Sequence, residues 1–214
     1  MLESLIQTIA IAALPVIFAI TLHEAAHGYA ARHFGDSTAY MLGRVSLNPL
    51  RHIDPVGTVL VPLVTLALGG ILFGWAKPVP VNFNRLRRPK QDMLWVAAAG
   101  PAANLFMMFI WAGVMKLGMS MPESSLMLPM ALMGKAGITI NAVLMVLNLL
   151  PLPPLDGGRI AVSLLPPRLA YSYARIEPYG MMILIALLFT GLLNTVLWPL
   201  VNGAMGLVSS LFGL

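Results

Sequence analysis

The fold is decided by the stretch Leu5–Ala31, LIQTIAIAALPVIFAITLHEAAHGYAA. Before its first histidine, the stretch contains only three polar residues, Gln7, Thr8 and Thr21. An apolar helix of this length matches the hydrocarbon core of a bilayer. The whole chain agrees, because its 214 residues are 58% hydrophobic and 10% charged, with a mean hydropathy of +0.84. Soluble domains carry about 25% charged residues. The sequence therefore predicts an all-α polytopic membrane protein.

The polar end of this stretch reads His23-Glu24-Ala25-Ala26-His27. Residues four apart share one face of a helix, so both imidazoles can bind the same metal ion. The Glu24 carboxylate stands beside them, where it can take a proton from a metal-bound water. H-E-x-x-H on a helix is the zinc pattern of metal-dependent hydrolases. Because the pattern ends an apolar segment, we expect the chemistry to take place at membrane depth. We also expect the segment to be retained rather than cleaved as a leader.

Five apolar blocks divide the chain into expected membrane segments. They are Leu5–Ala31, Val56–Phe73, Met93–Leu117, Leu126–Leu150 and Tyr179–Trp198. A weaker apolar tail over 199–214 is expected at the membrane interface. Because no repeat or linker is visible, we expect one intramembrane domain over residues 1–214. Its catalytic core is expected over residues 5–165, followed by a C-terminal membrane segment over residues 179–198.

Basic residues indicate which loops face the cytoplasm. They concentrate in three loops, 32–51, 77–90 and 159–175, and the net charge is +5. Cytoplasmic loops of membrane proteins accumulate lysine and arginine, which explains this charge without a nucleic-acid partner. A spanning Val56–Phe73 would put the first two loops on opposite sides. We therefore expect a re-entrant hairpin, with a plain spanning helix as the alternative. The hairpin is favoured by four helix-breaking residues in or directly after this block, Pro62, Gly69, Gly70 and Gly74.

A catalytic zinc ion needs a third protein ligand. The chain has no cysteine, which leaves eight acidic residues to consider: Glu3, Glu24, Asp36, Asp54, Asp92, Glu123, Asp156 and Glu177. Asp156 differs from the others because three prolines within 148–155 interrupt an apolar helix directly before it. A carboxylate buried there is costly unless a cation offsets its charge. The alternative is that Asp156 caps the N-terminus of a helix over 157–165.

Three motifs together resemble the site-2 protease family of intramembrane zinc metalloproteases, and most closely its small bacterial members without PDZ or CBS domains. They are His-Glu-Ala-Ala-His at 23–27, Gly-Pro-Ala-Ala-Asn at 100–104, and Asn148…Pro151…Pro153…Leu155-Asp156-Gly157. Two further stretches are similar to that subgroup, 43–49 and 74–81. The resemblance covers residues 15–165 and implies three core helices around a zinc ion near the cytosolic face. It implies that the metal ligands are His23, His27 and Asp156, and that Glu24 activates water.

Several amides and histidines have two interpretations each. The family pattern makes Asn148 a donor to the substrate backbone or to the oxyanion, and the alternative is a hydrogen bond between helices. Asn104 and Asn141 either contact the substrate or join membrane helices. We expect His33 and His52 in solvated loops, with His52 the stronger candidate for contact with the site.

The expected function is hydrolysis of peptide bonds in transmembrane protein or peptide substrates by a zinc metalloendopeptidase, in which Glu24 activates a zinc-bound water. The substrate must unwind locally, and the alternating stretch Val79–Phe83 is a candidate edge strand that would bind it through Val79 and Val81. We expect the protein in the lipid bilayer of a bacterial inner membrane, with the site near the cytoplasmic side. The alternatives are a zinc transporter, which needs no general base, and a non-proteolytic scaffold that binds transmembrane helices.

Overall fold

The helices of the computed structural model follow the apolar pattern of the sequence. The structure describes residues 2–60 and 77–214. Its α-helices are α1 (Leu2–His33), α2 (Thr38–Met41), α3 (Pro89–Met119), α4 (Met127–Leu149), α5 (Asp156–Leu164), α6 (Pro167–Ala174), α7 (Glu177–Phe189) and α8 (Leu192–Phe212). Short 3-10 turns cover Pro49–Arg51 and Phe83–Arg85, and a π-helical turn covers Pro55–Leu60. These described ranges contain no strand, as an all-α fold requires.

Within the described residues, four helices are long and apolar enough to cross a membrane. They are α1 over Ile9–His33, and the full lengths of α3, α4 and α8. Helices α6 and α7 meet the same length and composition criteria only as a pair, and a 61° bend separates them. Large apolar side chains such as Phe106 and Leu211 are exposed on the outer surface, which suits lipid rather than water. The chain is therefore an integral membrane protein with several membrane-spanning helices.

Close packing of α3 against α4 forms the centre of the bundle, and α1 packs against both. Small residues permit this approach. A Cβ added to Gly137 of α4 would lie 2.2 Å from the Trp111 ring of α3, and one added to Gly134 would lie 2.5 Å from Met115 Cβ. Met108 is completely buried in the same interface. Because α1 and α3 belong to one packed unit, polar groups on the two helices meet at the same depth.

The C-terminal part of the chain differs from its predicted organisation. The block Tyr179–Trp198, expected as one segment, is divided at Gly191, whose φ of 75° is a left-handed conformation that suits glycine. The tail 199–214 is also not separate, because it continues α8 almost to the end of the chain. Its Val201 and Val208 are buried in the cluster that contains Met108. Burial of this apolar face, which the sequence pattern did not indicate, keeps the tail in the bundle.

Asp36 connects the loop after α1 to the segment 77–82. It is only 1% exposed, although its sequence context suggested a polar loop residue. One carboxylate oxygen accepts the Thr38 N–H at 3.0 Å, and the other accepts the Asn82 N–H at 2.6 Å. Burial raises the pKa of Asp36, but these hydrogen bonds and that of the Thr38 hydroxyl outweigh it and lower the pKa below its ordinary value. The segment 77–82 is thereby held near the end of α1.

The edge strand predicted over Val79–Phe83 does not form within the described residues. Residues 77–82 form a loop without regular secondary structure, and Phe83 begins a 3-10 turn. Pro78 and Pro80 lack the N–H groups that a paired strand needs, which explains the absence of regular pairing. Of the hairpin expected over Val56–Phe73, residues 61–73 lie outside the described residues.

Candidate functional site

Three side chains from distant parts of the chain converge at one point. His23 and His27 lie one turn apart on α1, and Asp156 is the first residue of α5. Asp156 Oδ2 is 3.3 Å from Nε2 of each histidine, and the two Nε2 atoms are 3.1 Å apart. Within the described ranges, these residues are the group whose geometry suits a metal ion. The N-cap position of α5 belongs to Leu155 and no side chain caps the helix, so the alternative role of Asp156 as a helix cap is wrong.

Both histidine rings are oriented by acceptors behind them. His23 Nδ1 is 2.6 Å from Asn104 Oδ1, and His27 Nδ1 is 2.8 Å from the Val96 carbonyl oxygen. A carbonyl oxygen can only accept, so we assign the ring proton to Nδ1 in both histidines. Each ring then presents the lone pair of Nε2 toward Asp156. Metal-binding histidines are typically held in this way by their second nitrogen.

Electron-pair donors this close together favour a cation between them. The two Nε2 lone pairs and the Asp156 carboxylate face the same space, and Asp156 Oδ2 is buried without a hydrogen-bond partner. Their mutual repulsion is relieved when a positive ion lies among them. Ligand atoms about 2.0–2.1 Å from a tetrahedral zinc ion are separated by about 3.3 Å. The observed separations of 3.1 and 3.3 Å fit zinc, as does the set of two imidazoles and one carboxylate.

Gly100 of α3 provides the room for an ion. A Cβ added there would lie 2.4 Å from His27 Nε2 and 2.6 Å from His23 Cε1. Asn104 follows one helical turn later and holds His23. Sequence reasoning found the Gly-Pro-Ala-Ala-Asn motif but not the role of this glycine. The spacing of four residues, which places Gly100 and Asn104 on one helix face, is the signal that identifies both.

Glycines bring Asp156 close to the end of α4. A Cβ added to Gly157 would lie 2.3 Å from the Leu149 carbonyl oxygen, so glycine is needed for α5 to begin at this distance. Gly180 of α7 makes an equally close approach to Pro153, whose carbonyl oxygen would lie 1.6 Å from an added Cβ. The proline-rich turn is therefore packed between α5 and α7, which determines where the carboxylate lies.

Glu24 contacts the segment 77–82 through a backbone hydrogen bond. Its Oε2 accepts the N–H of Val79 at 2.7 Å. Val79 is buried, and its side chain lies against Gly28, on the next turn of α1. Val81, the second residue predicted to bind substrate, is half-buried. The segment 77–82 thus lies beside the predicted base, and the hydrogen bond engages one of the two carboxylate oxygens.

Asn104 and Asn141 lie behind His23 and join membrane helices, which is the second of the two interpretations of these amides. Both residues are 0% exposed. Asn104 Nδ2 donates to Asn141 Oδ1 at 2.9 Å and to the Ala19 carbonyl at 3.2 Å, and Asn141 Nδ2 donates to the Gly137 carbonyl at 2.8 Å. Their amides are engaged inside the bundle because an unpaired buried amide would be costly. They connect α1, α3 and α4 and hold the His23 ring.

The remaining predicted residues have different surroundings. Asn148 is half-buried and donates one amide hydrogen to the Leu144 carbonyl at 3.0 Å, which leaves its second amide hydrogen for another partner. His33 is exposed. His52 is 2% exposed rather than solvated as expected, and its Nε2 lies 2.8 Å from the Ser46 carbonyl oxygen. His52 is not part of the metal-binding group.

Sequence comparison relates this chain to a peptidase family and to proteins named as zinc metalloproteases. The sequence pattern of Peptidase family M50 matches residues 120–191. A Bacillus subtilis (strain 168) protein named "Putative zinc metalloprotease YwhC" is 39% identical over 201 residues, which cover 92% of this chain and 88% of that protein. A Mycolicibacterium smegmatis protein named "Putative zinc metalloprotease Rip2" is 31% identical over 186 residues, covering 86% of this chain and 69% of that protein. No solved structure matches the chain.

The related proteins and the geometry of the site indicate the same protein family. The relationship to the Bacillus protein extends over most of both chains. In this chain, an H-E-x-x-H helix long enough to cross a membrane meets a buried aspartate in a zinc-compatible arrangement. The chain belongs to peptidase family M50, the site-2 protease family of membrane zinc metalloproteases.

Proposed function

We propose that this chain is an intramembrane endopeptidase that hydrolyses peptide bonds of membrane-spanning substrates. The observation that carries the proposal is that His23 and His27 of a membrane helix meet Asp156 beside Glu24, with nitrogen–oxygen distances of 3.3 Å. A zinc transporter would need the ligands but not the carboxylate beside them. A scaffold that only binds helices would need neither.

In the proposed reaction, His23 Nε2, His27 Nε2 and Asp156 Oδ2 would hold a zinc ion. An ion held there would lower the pKa of water toward neutrality and would polarise the scissile carbonyl. Glu24 takes the proton of the attacking water on Oε1, while the Val79 N–H holds Oε2. Glu24 then delivers this proton to the leaving amine. Because acceptors on α3 already orient both histidine rings, the ligands need not reorganise as the reaction proceeds.

Substrate binding is proposed along the segment 77–82. Carbonyl groups inside a helix are already hydrogen-bonded, so a transmembrane substrate must unwind before it is cleaved. An extended segment can then bind the unwound chain through backbone groups. The hydrogen bond from Val79 to Glu24 supports this location, because it puts the segment next to the proposed base.

Asn148 is proposed to donate its second amide hydrogen to the substrate backbone or to the developing oxyanion. Its position on α4, eight residues before Asp156, supports this role. Asn148→Ala is expected to keep zinc and to slow cleavage by about 10²–10³-fold, the usual cost of one lost oxyanion donor. The test is kcat together with the zinc content of the purified variant. Cleavage near the wild-type rate with zinc bound would exclude this role for Asn148.

We propose that the site lies near the cytoplasmic side of a bacterial inner membrane. The basic residues at the ends of α1, α3 and α5 nearest the site support this orientation, and they include Arg32, Arg88 and Arg159. Single cysteines at exposed Leu47, Asn84 and Arg168 of this cysteine-free chain are expected to react with an impermeant thiol reagent only from the cytoplasmic side. A cysteine at Ser125, between α3 and α4, should react only from the opposite side. Labelling of Leu47 and Asn84 positions from opposite sides would contradict the proposed arrangement.

Glu24→Gln tests the proposed function as a whole. Glutamine has the same shape and can still accept the Val79 N–H, but it cannot take a proton from water. We expect full zinc content and a fall in cleavage of at least about 10²–10⁴-fold, the usual contribution of a general base. The assay is cleavage of a panel of single-span substrates, with exposed Glu177→Gln as the matched control expected to behave as wild type. Wild-type cleavage by Glu24→Gln would refute the proposal, and zinc loss would make Glu24 a ligand instead.

A further inference from the structure

Arg44 binds an array of backbone oxygens that belong to two different loops. Its Nη1 donates to the Arg51 carbonyl, and its Nη2 donates to the carbonyls of Lys77 at 3.0 Å and Pro78 at 3.4 Å. A guanidinium group holds five N–H donors in one planar fork, so it can bind several acceptors at once. Arg44 therefore joins the loop around Arg51 to the beginning of the segment 77–82.

The residues that Arg44 holds lie directly before the contact with Glu24. The Lys77 N–H donates to the His52 carbonyl at 2.9 Å, which adds a second connection between the same two loops. Two residues later, the Val79 N–H donates to Glu24 Oε2 at 2.7 Å. The backbone of residues 77–79 therefore connects Arg44 to Glu24, and hydrogen bonds hold it at both ends.

We propose that Arg44 is a positioning residue of the reaction, which acts by holding the Val79 N–H on Glu24 Oε2. This inference rests on the proposed function, in which Glu24 is the base. A fixed Oε2 determines where Oε1 lies, and Oε1 is the oxygen that must accept the proton of water. A rotated carboxylate would leave the zinc ligands in place but would take the proton less efficiently.

The prolines of the segment make this contact irreplaceable. Pro78 and Pro80 have no N–H, so Val79 carries the one backbone donor between Lys77 and Val81. If the segment shifts along its own direction, no neighbouring N–H can take the place of the lost one. The contact therefore depends on where Lys77 and Pro78 are held, and Arg44 holds both of them.

The first test is Arg44→Ala in the full chain, with a single-span substrate in proteoliposomes and zinc content measured in the same preparations. We expect kcat to fall about 10–100-fold, as for the loss of one hydrogen bond to a charged group, with zinc content unchanged. Arg44→Lys should recover part of kcat, because an ammonium group lacks the planar fork. Exposed Arg175→Ala is the matched control for loss of one positive charge and should behave as wild type.

The second test removes the N–H itself. Val79→Pro deletes the donor at a position already flanked by prolines, whereas Val79→Ala keeps it and measures the contribution of the side chain. We expect kcat of Val79→Pro to be about 10–100-fold below that of Val79→Ala. The double variant Arg44→Ala/Val79→Pro should be no slower than Val79→Pro alone, because both changes break the same contact.

The outcomes separate this inference from the proposed function. Wild-type kcat in Arg44→Ala, additive losses in the double variant, or equal kcat in the two Val79 variants would each overturn the inference. If Arg44→Ala does not accumulate in membranes, Arg44→Lys and the Val79 pair decide the question by the same criteria. Glu24→Gln is measured in parallel, and its full activity would instead refute the proposed function. If Glu24→Gln is inactive and the losses in the double variant are additive, only the role of Arg44 is overturned.

Discussion

Gly100→Ala is expected to remove zinc from the purified protein and to abolish cleavage. The added methyl group would lie 2.4 Å from His27 Nε2 and 2.6 Å from His23 Cε1, well inside van der Waals contact. Neither ring can withdraw easily, because Asn104 and the Val96 carbonyl hold both rings from the same helix that carries the methyl group. The expected loss is therefore of metal binding itself. The measurements are the zinc content per chain and the cleavage rate at saturating zinc.

Gly113→Ala is the matched control for this prediction. Gly113 lies on the same helix, and the nearest atom to its added methyl group is Phe212 Cε1 at 3.9 Å, an ordinary contact. Both substitutions change helix propensity by the same amount, roughly 1 kcal/mol in favour of alanine. A difference in zinc content between the two variants therefore reports crowding of the site rather than a change in the helix. Zinc-replete, active Gly100→Ala would show that the ion lies elsewhere.

Asp156→Ala is expected to lose both zinc and activity. Asp156 Oδ2 lies 3.3 Å from both histidines, and its carboxylate supplies the negative charge among the three ligands. Loss of a residue that only supports a ligand typically weakens metal binding by 10–100-fold, so loss of a ligand should weaken it by more than about 100-fold. A zinc titration of the purified variant, followed by cleavage at each zinc concentration, measures this change. Full zinc occupancy in Asp156→Ala would mean that another group is the third ligand.

Three further variants distinguish the loss of a metal ligand from a general loss of structure. Asp156→Asn keeps the volume of the side chain but removes its charge, and it should also bind zinc poorly. Asp36→Ala should keep zinc while lowering stability, because it loses hydrogen bonds to Thr38 and Asn82 that lie outside the site. Asp54→Ala is expected to keep zinc as well. Equal zinc loss in all of these variants would indicate general unfolding rather than loss of a ligand.

The pair of histidines and the broken helix before Asp156 were predictable from short-range patterns. A spacing of four residues places His23 and His27 on one helix face regardless of what surrounds the helix. Prolines interrupt a helix for reasons that lie within the chain itself. In contrast, a choice between the two interpretations of Asn104 and Asn141, substrate contact or a link between helices, required knowledge of which helix faces meet. An asparagine in an apolar helix has the same sequence context whether it faces a ligand, a neighbouring helix or a substrate.

The sequence by itself determined the membrane class of the protein, most of its long helices, and a helix with two histidines and a carboxylate. These features follow from hydrophobicity and helical period, which act within a few turns of chain. Only the tertiary structure decided the room at Gly100, the orientation of His23 by Asn104, and the contact of Val79 with Glu24. It also decided that the tail 199–214 is part of α8 and packs in the bundle. Each of these depends on groups far apart in sequence, and their positions depend on how closely the helices pack.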